Sequence, residues 1–359
     1  MSRFILQFCA VALFVFAGVT VCYAQPVDLQ KCTICHGKPG HKRIDDSGHV
    51  QSLFVDEKIL KGSVHAVRAC TDCHADVTEI PHRVLPKKVN CTRCHYLGNP
   101  VGAPQDVDYQ AYLKSVHGRA AANGKKDAPW CQDCHGNHNI KAHTNPGSNI
   151  FRDSIPKTCG RCHVDIYAQY RESVHGEALI AKGNQDVPVC TSCHGEHNIL
   201  APTDPGSTVY PSHVAEACSH CHAAETIMGK YGIESEQVAT YDESFHGIAG
   251  KFGSATVANC ASCHGVHDIR RPNDPKSSVY IDNIPKTCGR CHEGANINYA
   301  KGKIHVDAKK KEAGIVYYVA FAFKWLTILT MIGLIAHIML DLNKKAKNSR
   351  QRKTGQPDA

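Results

Sequence analysis

The chain holds 20 cysteines, and eighteen of them fall into nine copies of Cys-x-x-Cys-His. The copies are Cys32-Cys35-His36, Cys70-Cys73-His74, Cys91-Cys94-His95, Cys131-Cys134-His135, Cys159-Cys162-His163, Cys190-Cys193-His194, Cys218-Cys221-His222, Cys260-Cys263-His264 and Cys288-Cys291-His292. Two thiols one helical turn apart with an imidazole beside them have three chemical uses: a zinc knuckle, a redox disulfide, or attachment of a c-type haem. In the last case the thiols form thioethers with the haem vinyl groups and the histidine binds the iron. A single copy leaves all three open. Nine copies, every one followed by histidine, select haem attachment, and the two leftover cysteines, Cys9 and Cys22, leave nothing from which to build a disulfide framework.

Each iron then needs a sixth ligand. Methionine is nearly eliminated by supply, because apart from Met1 there are only Met228, Met331 and Met339. Of the 24 histidines, nine are proximal, which leaves fifteen for bis-histidine ligation. Internal repeats rank those fifteen. A unit opening on Ser-Val-His-Gly or a relative, continuing through Cys-x-x-Cys-His-Gly-x-His, and closing on Pro-Lys-Thr-Cys-Gly-Arg-Cys-His or a relative occurs three times. Cys131, Cys190 and Cys260 are 59 and 70 residues apart, and Cys159, Cys218 and Cys288 repeat both spacings. The units nominate His117, His175 and His246 at their openings and His138, His197 and His267 three residues past a proximal histidine. A degenerate N-terminal unit adds His65 and His82 in the same two roles, and His49 is preferred over His41 for the Cys32 site. His143, which aligns with Pro202 and Pro272, reads as a surface residue, while His213, His220 and His305 stay unassigned, with His305 a competitor for the last haem. The repeats do not say which distal histidine meets which iron.

These ligands must be positioned by very little chain, about 32 residues per site over residues 25–313. Only 7% of residues are aromatic, so haem itself must fill the interior. The expected fold is mainly α with much irregular structure, packed on haems, and short helices over 106–116 and 164–174 lead into distal histidines. Residues 1–24 read as an export signal ending at Ala24, and 315–340 as one transmembrane helix broken only by Lys324 and His337. That divides the chain into a signal (1–24), a three-haem region (25–104), a six-haem region of three repeats (105–313), a membrane helix (314–340) and a basic cytoplasmic tail (341–359). The export signal places residues 25 to about 313 in the periplasm, with the chain anchored in the inner membrane. Net charge is +8, but residues 25–340 carry only +3. Two propionates per haem would add about 18 negative charges, so nothing favours nucleic acid as a partner.

With nine attachment sites and these repeats, the chain resembles the multihaem cytochromes c of metal-reducing and other anaerobic bacteria. It looks most like the periplasmic part of inner-membrane cytochrome b/c quinone oxidoreductases, whose nonahaem domain precedes a dihaem cytochrome b domain, and the resemblance covers residues 25–340. It implies nine covalent haems c acting as a low-potential electron relay between the quinone pool, reached through a membrane cytochrome b or quinol-oxidising subunit, and periplasmic redox proteins. One departure is the single membrane helix, which puts the rest of any cytochrome b on a separate subunit. His337 is then a candidate ligand for a haem b shared with a partner helix, against the plainer reading of an interfacial histidine. The rival function is a multihaem reductase or dehydrogenase of small nitrogen or sulfur oxyanions, which requires one iron with an open or lysine-ligated position. No Cys-x-x-Cys-Lys occurs.

Overall fold

The computed structural model describes residues 29–45, 48–104, 108–301 and 304–355. The segment expected to be an export signal lies outside them. Among the described residues the chain is mainly helical, in short pieces, and its one sheet is the antiparallel pair Lys42–Ile44 and Val50–Ser52, with Arg43 opposite Gln51. By contacts it separates into two units, one up to Cys159 and the other from Gly160 onward. That division falls inside the first of the three repeats.

The hydrophobic core is almost absent. Five apolar side chains are buried among the described residues: Ala69, Ala128, Leu179, Val189 and Met228. What replaces a core is dense local hydrogen bonding, repeated from unit to unit.

Each first attachment motif of a repeat is one turn of helix with matched ends: Cys131–His135, Cys190–His194 and Cys260–His264. The second variable residue of the motif caps the start. Asp133 accepts from the Trp130 N–H at 2.7 Å, Ser192 from Val189 at 3.0 Å and Ser262 from Asn259 at 3.1 Å, each satisfying a donor that helix geometry leaves unpaired. Asp72 does the same for Ala69 at 2.9 Å. The stop is Gly136, Gly195 or Gly265, at φ of +90°, +76° and +84°, where a Cβ would be strained.

The two short helices expected to lead into distal histidines are present, each ends two residues before its expected boundary, and a second helix follows it at once. Asp108–Lys114 is followed by Val116–Ala122, and Val164–Glu172 by Val174–Lys182. The cause is the serine between them, whose hydroxyl prefers to cap a new helix rather than continue the old one. Ser115 accepts from Gly118 N at 3.0 Å and donates to the Tyr112 carbonyl at 2.6 Å. Ser173 and Ser244 cap Gly176 and Gly247 likewise. The sharp corner brings the glycine against the previous helix: a Cβ on Gly118, Gly176 or Gly247 would sit 2.0, 1.8 or 2.1 Å from the carbonyl oxygen of Tyr112, Tyr170 or Tyr241. Those tyrosines bond onward to the carbonyls of Pro129, Pro188 and Ala258, just ahead of the attachment motif. Gly176→Ala should therefore destabilise the protein by about 1–3 kcal/mol, read as a lowered denaturant midpoint. Gly229→Ala is the control, since nothing lies within 4 Å of a Cβ there.

The C-terminal helix runs Ile315–Thr354, 40 residues. Its apolar part has a mean hydropathy of 2.0 and none of it is buried, so by length and composition it can cross a membrane. At 1.5 Å per residue it measures about 60 Å, twice the roughly 30 Å of a bilayer's hydrocarbon layer. The helix thus continues unbroken into the basic stretch that had been expected to form a separate tail.

Candidate metal centres

The local architecture places the imidazoles in opposed pairs, each joining one histidine of an attachment motif to one outside. In the N-terminal unit these are His36 with His82, 6.1 Å between ring centroids and 4° between planes, His95 with His65 at 6.0 Å, and His74 with His138 at 6.3 Å. In the C-terminal unit they are His222 with His175 at 6.3 Å, His194 with His267 at 6.1 Å, His292 with His246 at 6.0 Å, and His264 with His305 at 6.3 Å. Seven pairs thus fall between 6.0 and 6.3 Å. A first-row metal ion held about 2.0–2.1 Å from each of two opposed imidazole nitrogens puts the ring centroids roughly 6.3–6.5 Å apart, close to these separations.

The pairs obey one rule. The second motif of a unit takes its partner from that unit's own opening: His95 from His65, His222 from His175, His292 from His246. The first motif reaches forward into the next unit: His36 to His82, His74 to His138, His194 to His267. A backbone bond accompanies the forward step, from Val64 N to the Ile140 carbonyl and from Val174 N to that of Ile269, both 2.8 Å. After the last repeat no further unit exists, and His264 meets His305 instead. His117, His135, His163 and His197 hold the corresponding repeat positions: His117 is second in its helix, His135 closes the Cys131 helix, His163 precedes Val164–Glu172, and His197 follows the Gly195 turn.

Six of the nine nominated distal histidines, His65, His82, His138, His175, His246 and His267, stand opposite a motif histidine, and His49 does not. His49 lies on the turn between the two strands, its side chain 82% exposed beside Asp45, while His82 stands opposite His36. His41 lies nearer to His36, at 5.3 Å between centroids, short of the 6.0–6.3 Å of the seven pairs. His213 is held by the turn, its Nδ1 2.8 Å from the Ser207 carbonyl and its ring beside Tyr210. His143, His220 and His337 are exposed.

Burial keeps nine of the paired rings in their ligand form. Burial pushes His175 down to about 4 and also lowers His65, His74, His138, His194, His222, His264, His267 and His305, so near neutral pH each offers a lone pair rather than a proton. Several are aimed through Nδ1, which leaves Nε2 to face the partner ring. His36 meets the Leu53 carbonyl at 2.8 Å, His82 that of Val84 at 3.0 Å, and His95 that of Pro104 at 3.3 Å.

The eighteen described cysteines are in no disulfide. Successive motifs bring their thiols together: Cys32 with Cys70, Cys73 with Cys91, Cys91 with Cys131, Cys193 with Cys221, Cys218 with Cys260, and Cys263 with Cys288. Among the described residues no three or more His, Cys, Asp or Glu side chains converge into one metal cluster, so the three or four protein ligands of a zinc centre are not supplied. Two opposed imidazoles flanked by a thiol pair fit a group that brings its own equatorial ligands and two vinyl attachment points, as haem does. No protein-family model matches the chain, and no curated protein matches it.

Proposed function

We propose that this chain is a nonahaem cytochrome c, anchored by its C-terminal helix in the inner membrane with its haem domain in the periplasm, that relays electrons at low potential. The observation that carries this reading is the set of opposed imidazole pairs, one histidine of each belonging to a Cys-x-x-Cys-His motif. When bound, haem supplies reversible one-electron chemistry. The polypeptide supplies everything else. The thiol pairs would hold each group, the paired imidazoles would both bind its metal and so leave no room there for a substrate, and the nearness of thiols from successive motifs would keep neighbouring groups close. Two nitrogen ligands, with no methionine in the pairs, favour low potential.

The partners that follow are a membrane cytochrome b or quinol-oxidising subunit on one side and periplasmic redox proteins on the other. His337 remains the residue of this chain that would share a haem b with such a subunit, since an ionisable side chain in a membrane span is usually functional. A reductase of small oxyanions would need a motif histidine with no ring opposite it, and each of the seven seen has one.

The reading is tested by the intact mass of the mature protein. The expected mass is that of the chain from Gln25 plus nine haems, and replacing Cys260 and Cys263 together by serine should remove one. A mature protein without haem would overturn it.

A further inference from the structure

The segment between the last repeat and the membrane helix has no counterpart in the other repeats, yet it is tied down at three points. His305 Nδ1 meets the Thr240 hydroxyl at 3.1 Å, on the helix Gln237–Asp242, and the imidazole also interacts with the backbone of Gln237. The Thr240 hydroxyl in turn donates to the Gln237 carbonyl at 2.9 Å. Lys309 pairs with Glu243 at 2.7 Å, and Lys310 pairs with Glu236. With Nδ1 engaged, the other nitrogen of His305 is left for the His264 ring, 6.3 Å away by centroids and 27° from parallel.

We propose that His305 is the sixth iron ligand at the Cys260 site and that the Lys309–Glu243 and Lys310–Glu236 pairs clamp it there, so that the juxtamembrane segment is itself part of a metal centre. This rests on the haem reading above. The forward rule leaves His264 without a following repeat, and the juxtamembrane segment fills the vacancy. The clamp also fixes the distance to the bilayer, because Lys310 is only five residues from Ile315, where the membrane helix starts, a span of at most about 18 Å. The Cys260 site is therefore the one mechanically joined to the membrane anchor, and the place where electrons exchanged with a membrane partner enter or leave the file.

The test is spin-quantified low-temperature EPR of the full-length, oxidised protein in detergent. His305→Ala should convert one of nine low-spin ferric haems to high-spin, added imidazole should reverse the change, and His213→Ala and His49→Ala should leave all nine low-spin. In a C260S/C263S background, His305→Ala should add no high-spin signal. If His305→Ala does not mature, His305→Met keeps a ligand and should alter the spectrum of one haem only. For the clamp, cyanide should bind one haem several-fold faster in E236Q/E243Q than in the unaltered protein. Nine unchanged low-spin haems in His305→Ala, or in His305→Met, overturn the ligand assignment, and an unchanged cyanide rate overturns the clamp. A wild-type protein lacking haem would instead sink the underlying reading, and its mass separates the two failures.

Discussion

Produced in a cell that exports the chain but cannot attach haem, the domain should show no cooperative unfolding transition, by circular dichroism or by calorimetry. Ordering each residue costs about 1–2 kcal/mol of conformational entropy, while a fully buried apolar side chain returns about 1.5–3 kcal/mol. Five buried apolar residues, three of them alanine or valine, cannot offset the ordering of a chain this long. The caps, corners and tyrosine bonds described above specify conformation, but each satisfies a group that water would also satisfy. The matured protein should melt cooperatively at a temperature that falls with each attachment motif removed. A haem-free domain that melts in a single sharp transition would show that the polypeptide carries its own core.

The second large effect concerns which site a given histidine serves. His267 lies three residues past His264, yet its ring stands opposite His194, in the preceding repeat. His267→Ala should therefore produce one high-spin haem whose signal disappears in a C190S/C193S background and persists in a C260S/C263S background. The reverse pattern would mean that each repeat ligates its own haems, and the forward rule would be wrong.

Much of this was legible in the residues alone, because attachment motifs are local and repeats register against one another without any structure. The pairing was not, since a distal histidine and its motif lie far apart in sequence: His36 and His82 are on opposite sides of the Cys70 motif. His49 was preferred over His41 with little in the sequence to separate them, and the geometry shows it on an exposed turn. His305 was named as a competitor for the last haem but was not tied to the Cys260 site: a forward rule leaves one motif histidine unpartnered after the last repeat, and a histidine just beyond that repeat is its natural completion. The helix breaks at Ser115 and Ser173 were also readable in principle, for a serine followed three residues later by an obligatory glycine is a capping corner. The C-terminal helix was expected to end with its apolar run, but lysines and arginines are good helix formers and carry it on to Thr354.

The central claim is that every iron has two imidazoles and no position for substrate. Low-temperature EPR of the oxidised full-length protein, with spins counted per haem, tests it most directly. The account predicts nine low-spin ferric haems, unchanged by nitrite or hydroxylamine. A stoichiometric high-spin signal that shifts when either is added would contradict it, and would make the protein an enzyme with one open site rather than a relay.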